Sequence, residues 1–182
     1  MIKSDSDRSC LDSLLPEYCR ARTLVLGVGN PLFGDDGFGP AVARHLNDDE
    51  RIPEGVLVMD VGTSTQDILF NILLSDTRPE RIIIVDATDV GREPGELFEL
   101  EVEAVPQNKS GDFSVHLFPS TNMLKELRDE CGVEVVIISA QVEWIPVEAC
   151  VDLSQRLRNA VPCAARMVLR LCGAAGQAAG GK

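Results

Sequence analysis

Residues 23–39 read TLVLGVGNPLFGDDGFG, and this stretch decides how the rest of the chain is interpreted. It opens with a β-prone run that ends at Val28 and leads into a turn sequence, GNP. Two adjacent acids, Asp35 and Asp36, then stand among glycines, and Pro40 opens a helical pattern. A strand, a glycine-rich loop and a helix in this order are how α/β proteins build sites at the carboxyl end of a sheet. The stretch therefore predicts an α/β domain with a site in this loop.

The glycines of the loop do not have the spacing of a nucleotide-binding loop. The segment GVG at 27–29 begins like G-x-G-x-x-G, but Leu32 occupies the sixth position, and the Gly-Lys-Ser/Thr of a P-loop is absent. The carboxylates of Asp35 and Asp36 would repel phosphate and attract a cation. The alternative is a plain tight turn, with glycines at positive φ and an acid that caps the following helix. That alternative accounts for one aspartate more readily than for two.

Length, charge and cysteine usage narrow the class of protein. The 182 residues favour one domain with a full core, and no apolar run approaches the ~20 residues of a membrane span. The net charge of −12 argues against nucleic acid and anionic membranes as partners. Residues 1–9 lack the pattern of a signal peptide, which predicts a cytoplasmic protein. The six cysteines show no C-x-x-C spacing and are expected to be free thiols, mostly buried in helices, rather than zinc ligands.

Five apolar runs predict the strands of one sheet. Four of them are continuous and β-branched, as strands buried on both faces of a parallel sheet are. The fifth alternates polar and apolar residues, which is typical of a half-exposed, antiparallel edge strand. The four buried strands span residues 23–28, 56–61, 81–87 and 133–139, and the edge strand spans residues 96–102.

Helical patterns separate these strands. They cover residues 10–22, 40–47, 63–74, 120–131 and 151–172, the last with a bend or break predicted at Pro162. The order predicts the α/β fold class: a single domain over residues 10–172 in three layers (α/β/α), with helices on both faces of a mostly parallel, twisted sheet. Residues 1–9 and 173–182 are predicted to be disordered.

Three acids follow or end three successive predicted strands. Asp36 lies in the first loop, Asp60 ends the second strand and Asp86 ends the third, while His116 lies in a later loop before a helix. Because the carboxyl ends of parallel strands meet at one edge of a sheet, these side chains can converge there. Two carboxylates and one imidazole form an oxygen and nitrogen ligand set suited to a first-row divalent metal. Three protein ligands would leave coordination positions open, as sites that act on a substrate do.

Each of these residues also has a purely structural interpretation. Asp60 could cap the helix that follows it, and Asp86 is interpreted as a turn residue. A single histidine is more often structural than a ligand, and His45 has the pattern of a surface residue on an amphipathic helix. A serine or cysteine nucleophile has little support, because it needs a histidine base and only His45 and His116 exist. Ser114 is near His116 but lacks the glycines of a nucleophile elbow.

The ordered motifs resemble those of the maturation endopeptidases of nickel–iron hydrogenases. The resemblance covers roughly Thr23 to Ala160, and its first motif is the most specific. The segment FSVHLFP at 113–119 is most similar to the branch that serves deazaflavin-coenzyme-reducing hydrogenases. The motifs that carry the resemblance are GVGNP (27–31), GDDGFG (34–39), DVGT (60–63), VDA (85–87), PG (94–95) and SVH (114–116).

The resemblance implies a hydrolase that clips a short C-terminal extension from the large-subunit precursor of a nickel–iron hydrogenase once nickel is in place. It implies an endopeptidase of the aspartic type, without a serine or cysteine nucleophile, for which the precursor is the partner and the source of the nickel. The implied catalytic and metal-contacting positions are Asp36, Asp60 and His116. The first is often Glu in the family, and the shorter Asp36 leaves Asp35 as an alternative ligand.

Two other functions are compatible with the residues. A non-catalytic metal- or nucleotide-binding α/β module would not need the three side chains near one point. A metal-dependent hydrolase of small molecules would have a deep, enclosed pocket. A peptidase that acts on a folded precursor is expected to have a shallow, open groove instead.

Overall fold

The computed structural model describes residues 15–104 and 118–174, which contain one five-stranded sheet. The strands lie in the order β2-β1-β3-β5-β4, and every neighbouring pair is parallel except β4 and β5. This arrangement confirms the predicted α/β class with a mostly parallel sheet and one antiparallel edge strand. The strands are β1 (Thr23–Val28), β2 (Val56–Gly62), β3 (Arg81–Thr88), β4 (Leu97–Leu100) and β5 (Glu134–Gln141).

Helices connect the strands and cover both faces of the sheet. The described residues also contain two short 3-10 turns, at Gly34–Gly37 and Val102–Ala104. The helices are α1 (Glu17–Arg20), α2 (Phe38–Asn47), α3 (Thr65–Leu74), α4 (Phe118–Asp129) and α5 (Gln155–Ala174).

The central strand β1 shows how the two faces form two separate cores. All six of its residues are buried, and their side chains alternate between the faces because successive residues of a strand point in opposite directions. Val25 packs with residues of α2 and α5, whereas Leu24 and Leu26 pack with residues of α3 and α4. Each such side chain contributes about 1.5–3 kcal/mol when fully buried. The three predicted layers are therefore confirmed.

Helix α2 approaches the sheet unusually closely at Gly39. A Cβ atom at this position would lie 2.2 Å from the carbonyl oxygen of Val28 and 2.3 Å from that of Val85. Only glycine allows this approach, which brings the start of α2 against the carboxyl ends of β1 and β3. The glycine-rich loop is thereby confined between the sheet and the helix.

Of the bend or break predicted at Pro162, the break is wrong, because α5 runs through this residue without interruption. A proline removes one N–H donor from a helix. Pro162 lies on the exposed side, where water can replace the lost donor, while Val161 and Ala165 pack into the core. Packing of the apolar stripe therefore outweighs the local cost of the proline.

Several element ends also differ from the predictions. The first helix is shorter than 10–22 in the described part of the chain, since only Glu17–Arg20 is helical there. Helix α2 begins at Phe38, which puts Pro40 in its first turn, where the missing N–H has no partner to lose. Helix α5 extends through Ala174, two residues past the predicted domain end. The predicted disorder at 1–9 and 175–182 lies outside the described residues.

The described helices and cysteines bear on two predictions, the absence of a membrane span and the state of the thiols. Among the helices in residues 15–104 and 118–174, none is both long enough and apolar enough to cross a membrane. The five cysteines in these ranges have free thiols, as predicted. Only Cys19 and Cys172 are buried, and Cys163 is exposed, so the prediction that the cysteines are mostly buried is wrong for these five.

Candidate functional site

Asp35 anchors the loop that follows β1. Its side chain is fully buried, and its Oδ2 atom accepts hydrogen bonds from the backbone N–H groups of Glu143, at 2.8 Å, and Trp144, at 2.9 Å. Its Oδ1 atom accepts a third, from the N–H of Ser154, at 2.7 Å. Hydrogen bonds to a charged acceptor are the stronger class, so three of them hold the carboxylate firmly. Both oxygens of Asp35 are engaged, which argues against Asp35 as the alternative ligand to Asp36.

Backbone contacts attach the same loop to the segment before α5. The N–H of Gly34 donates to the carbonyl of Cys150 at 2.7 Å, and the N–H of Cys150 donates to the carbonyl of Leu32 at 2.7 Å. The N–H of Asp35 donates to the carbonyl of Trp144 at 3.3 Å. The shape of the glycine-rich loop thus depends on residues more than 100 positions away, since Asp35 and Glu143 are 108 residues apart.

Asp36 has a different orientation from its neighbour. It is buried, and its Oδ2 atom accepts the backbone N–H of Asn30 at 2.8 Å. Gly29 makes this turn possible: its φ is +125°, and a Cβ atom there would lie 1.9 Å from the backbone oxygen of Asp36. The carboxylate of Asp36 is therefore held against the first residues after β1, at the carboxyl end of the sheet.

Asp60 is located in β2 and faces the layer that contains α2. It is in register with Gly27 of β1, and its Oδ2 atom accepts a hydrogen bond from Arg44 Nη1 at 3.1 Å. This ion pair is partly open to solvent, with one third of the Asp60 side chain exposed. The capping interpretation of Asp60 is wrong, because the N-cap of α3 is Ser64 and no side chain caps the helix there.

The structure brings the chain around Asp36 next to the end of β2. The N–H of Gly29 donates to the carbonyl of Gly62 at 3.0 Å, so the residues after Asp60 lie beside the loop that Asp36 binds. His116 lies outside the described residues. Within the described ranges, no three His, Cys, Asp or Glu side chains are grouped closely enough to hold a metal ion.

Asp86 is a second buried carboxylate at this edge of the sheet. It lies inside β3, in register with Ser139 of β5, and is only 2% exposed, so the interpretation of Asp86 as a turn residue is wrong. Its Oδ1 atom would lie 3.6 Å from a Cβ atom at Gly29. The signal for this position was that apolar residues flank the acid on both sides, at Val85 and Ala87. Asp86 therefore flanks the same loop as Asp36.

A polar network that the sequence analysis missed supports the ends of β3 and β5. The hydroxyl of Ser139 donates to that of Thr88 at 2.7 Å in the buried interior. The Oε1 atom of Gln141 accepts the backbone N–H groups of Val90 and Arg92, each at 3.0 Å. Ser139, Thr88 and Gln141 belong to no recognisable sequence motif. Their hydrogen bonds join distant segments of the chain, so they could not be predicted from the sequence.

An open groove of about 220 Å³ runs beside the loop, between α2 and the start of α5. It combines small apolar residues with charged side chains from three segments of the chain. An open groove of this kind fits a peptide chain better than an enclosed small molecule. The groove is lined by Pro31, Gly37, Ala41, Arg44, Val151, Asp152, Leu153 and Arg158.

Sequence and structure comparisons agree on one group of proteins. The sequence profile described as hydrogenase maturation protease matches residues 40–171. A Methanocaldococcus jannaschii protein, named provisionally as a hydrogenase maturation protease, is 36% identical over 147 residues, covering 80% of this chain and 93% of that protein. The delta subunit of coenzyme F420 hydrogenase from Methanothermobacter thermautotrophicus is 32% identical over 153 residues, covering 82% and 93%. Among solved structures, the hydrogenase maturating endopeptidase HybD from E. coli matches with a TM-score of 0.71 and 26% identity, covering 85% and 94%.

Proposed function

Since this chain belongs to the hydrogenase maturation protease family, we propose that it removes a C-terminal extension from the large-subunit precursor of a nickel–iron hydrogenase. As a member of the family the chain is a protease and thus a hydrolase. The family therefore favours a peptidase over a non-catalytic binding module or a hydrolase of small molecules.

In this proposal Asp36, Asp60 and His116 contact the nickel that the precursor carries. Carboxylate and imidazole ligands suit a first-row divalent metal. Asp36 is held in place by the N–H of Asn30, and Asp60 lies near the same edge of the sheet with part of its side chain exposed. The observation that carries the proposal is that two acids marked by the family motifs belong to adjoining chain segments at the carboxyl ends of β1 and β2.

Arg44 gives Asp60 a partner in the absence of substrate. The ion pair at 3.1 Å neutralises the partly exposed carboxylate of Asp60. Exposed ion pairs contribute only about 0–1 kcal/mol, so a metal ion could displace the guanidinium at little cost. Asp60 is therefore proposed to exchange Arg44 for the nickel of the precursor when the complex forms.

The cleavage itself is proposed to use a carboxylate as general base toward water, which corresponds to the aspartic-type classification. The precursor's metal would polarise the scissile carbonyl. Cys19 and Cys172 are disfavoured as nucleophiles, because burial raises the pKa of both thiols and keeps them protonated. The free thiols of the described cysteines also fit the reducing cytoplasm, where we place the reaction.

The decisive experiment compares two forms of one substrate. The chain is incubated with a hydrogenase large-subunit precursor, either nickel-loaded or nickel-free, and the intact masses of both proteins are measured. We expect a shortened precursor only in the nickel-loaded sample, because the substrate must supply the metal that completes the site.

Variants then separate the proposed residues from the rest of the chain. Asp36→Ala, Asp60→Ala and His116→Ala should each abolish cleavage with an unchanged circular dichroism spectrum. Cys150→Ala is the matched control, since the hydrogen bonds of Cys150 to the same loop come from its backbone and are kept in alanine, and it should cleave like the unmodified chain. Efficient cutting of the nickel-free precursor, or full activity in His116→Ala, would rule this mechanism out.

A further inference from the structure

We propose that the groove between α2 and the start of α5 is a peptide subsite in which Arg44 and Arg158 bind an acidic side chain of the precursor. This inference rests on the proposed function, because the precursor is its occupant. The groove is open rather than closed, so a peptide can continue past the two arginines. For that reason we assign the carboxylate to a side chain within the peptide and not to the end of its chain.

The charge of the groove favours an acidic ligand. Two guanidinium groups and one carboxylate, that of Asp152, line the groove. Once Asp60 has exchanged Arg44 for the nickel of the precursor, this lining has a net positive charge, in a chain whose net charge is −12. A cleft whose lining has an excess of one sign of charge attracts ligands of the opposite sign. An acidic peptide would be repelled by most of this surface and attracted to this groove.

Both arginines are held in place and keep donors for a ligand. Arg44 Nη1 donates to Asp60, and Arg158 Nη2 donates to the carbonyl of Leu153 at 2.9 Å. A guanidinium group carries five N–H donors, so the bond to Leu153 positions Arg158 without exhausting it, and Arg44 gains a further donor when Asp60 binds nickel instead. Arginine is also the residue best suited to bidentate binding of a carboxylate.

Exposed apolar side chains are available for the flanking residues of a peptide: Val151 lines the groove, and Leu32 directly follows Pro31, which also lines it. Leu32, Trp144, Val147 and Val151 are 51%, 47%, 84% and 71% exposed, and together they account for most of the exposed large hydrophobic side chains in the described residues. The N–H of Cys150 donates to the carbonyl of Leu32, which brings these two segments together. Apolar surface of this kind, bordered by charges, marks a site of contact with another protein.

The groove is continuous with the candidate active site. Arg44 lines the groove and binds Asp60, while the loop that contributes Pro31 and Gly37 to the groove also carries Asp36. A peptide in the groove would therefore lie beside the residues proposed to contact nickel. This continuity identifies the occupant as the stretch of precursor next to the cleavage site.

The test measures kcat and KM for cleavage of the nickel-loaded precursor by Arg158→Gln and by a matched control, Arg156→Gln. Arg156 is two residues away on the same helix and similarly exposed, but it pairs with Glu143 and lines a different surface depression. We expect Arg158→Gln to raise KM about tenfold with kcat unchanged, the effect of losing one charge-assisted hydrogen bond. Arg158→Lys should recover part of the loss, and Arg156→Gln should behave like the unmodified chain.

A second arm identifies the group that is bound. Acidic residues near the cleavage site of the precursor are replaced by their amides, and binding of the nickel-free precursor to the immobilised chain is measured by biolayer interferometry. One such replacement should weaken binding about as much as Arg158→Gln does, and the two changes together should cost no more than either alone. Equal KM values for Arg158→Gln and Arg156→Gln, or fully additive effects, would overturn the subsite. Failure of the unmodified chain to cleave nickel-loaded precursor would instead reject the proposed function. The binding measurement with nickel-free precursor would still test whether the groove binds an acidic side chain.

Discussion

Asp35 and Asp36 are neighbours in the sequence, yet their carboxylates have different partners. Asp35 binds the segment around Trp144 and Ser154, and Asp36 binds the N–H of Asn30. Both lie in a 3-10 turn, where three residues complete one turn and successive side chains point about 120° apart. This geometry assigns an anchoring role to the first acid and leaves the second at the candidate site.

The anchoring role of Asp35 predicts a large effect on stability. Asp35→Asn keeps one acceptor oxygen but turns an NH₂ group toward backbone N–H donors, which leaves buried donors without a partner. We expect the free energy of unfolding to fall by about 2–4 kcal/mol, in line with other losses of buried charged hydrogen bonds. Chemical denaturation followed by circular dichroism measures it.

The same substitution one residue later is the control. In Asp36→Asn the amide oxygen can still accept the N–H of Asn30, so we expect a change in stability below about 1 kcal/mol. Cleavage of the precursor should nevertheless be lost, because the carboxylate charge is gone. An Asp36→Asn variant that is as unstable as Asp35→Asn would show that both acids are anchors.

Helix α2 links the packing of the sheet to the geometry of the site. Its first turn contains Gly39, which allows contact with the backbone of β1 and β3, and its last turns carry Arg44, which reaches Asp60. Arg44 can reach Asp60 only because the helix lies so close to the sheet. The position of α2 therefore determines where the glycine-rich loop lies, whether Arg44 reaches Asp60, and the shape of one wall of the groove.

Gly39→Ala is predicted to destabilise the chain strongly. The added methyl group would sit 2.2 Å from the oxygen of Val28, which forces α2 away from the sheet. Overpacking of this kind costs about 1–3 kcal/mol and occasionally more, and we expect the upper end because both neighbours are backbone atoms. Differential scanning calorimetry measures the shift in Tm.

Gly173→Ala tests the same chemical change without the clash. Gly173 lies in α5 with nothing within 4 Å of the new Cβ atom. Alanine is the better helix former by about 1 kcal/mol, so this variant should be as stable as the unmodified chain or slightly more stable. Equal Tm values for the two variants would contradict the close packing of α2.

At the scale of the whole molecule, one sheet supports two cores, and no side chain in residues 15–104 and 118–174 belongs to both. Cys19 is buried in the core that contains α3 and α4, and Cys172 is buried in the core that contains α2 and α5. Because β1 and β3 contribute residues to both cores, loss of either core removes support from the other. The domain is therefore expected to unfold as one unit.

The two buried thiols predict how the native chain reacts with iodoacetamide. Burial raises the pKa of both Cys19 and Cys172, so the reactive thiolate is scarce at neutral pH, and it rises only as pH rises through the elevated pKa. Among the five described cysteines, exposed Cys163 should be alkylated first, and precursor cleavage should survive this modification. In mild denaturant Cys19 and Cys172 should then react at matching rates, as mass spectrometry of their peptides would show. Much faster labelling of either residue would mean that its core opens alone.

The sequence by itself determined the order of strands and helices along the chain, and it indicated which acids are candidate site residues. Hydrophobic periodicity is a local property, so β1 was predicted with the ends that the structure shows, and the edge position of β4 followed from its alternation. Asp36 and Asp60 were predicted as site residues from their positions after or at the end of predicted strands, which also depend only on the nearby chain.

The tertiary structure decided everything that depends on contacts between distant residues. The difference between Asp35 and Asp36 requires the segment at 143–154, and the continuity of α5 through Pro162 requires the core beneath it. The ion pair between Arg44 and Asp60 requires α2 to lie on β2, although the residues are only 16 apart in the sequence. The groove with Arg158 joins three separate segments. Local sequence sets the preference of each segment for strand or helix, but the free energy that orients a buried carboxylate comes from partners that only the folded chain brings within hydrogen-bonding distance.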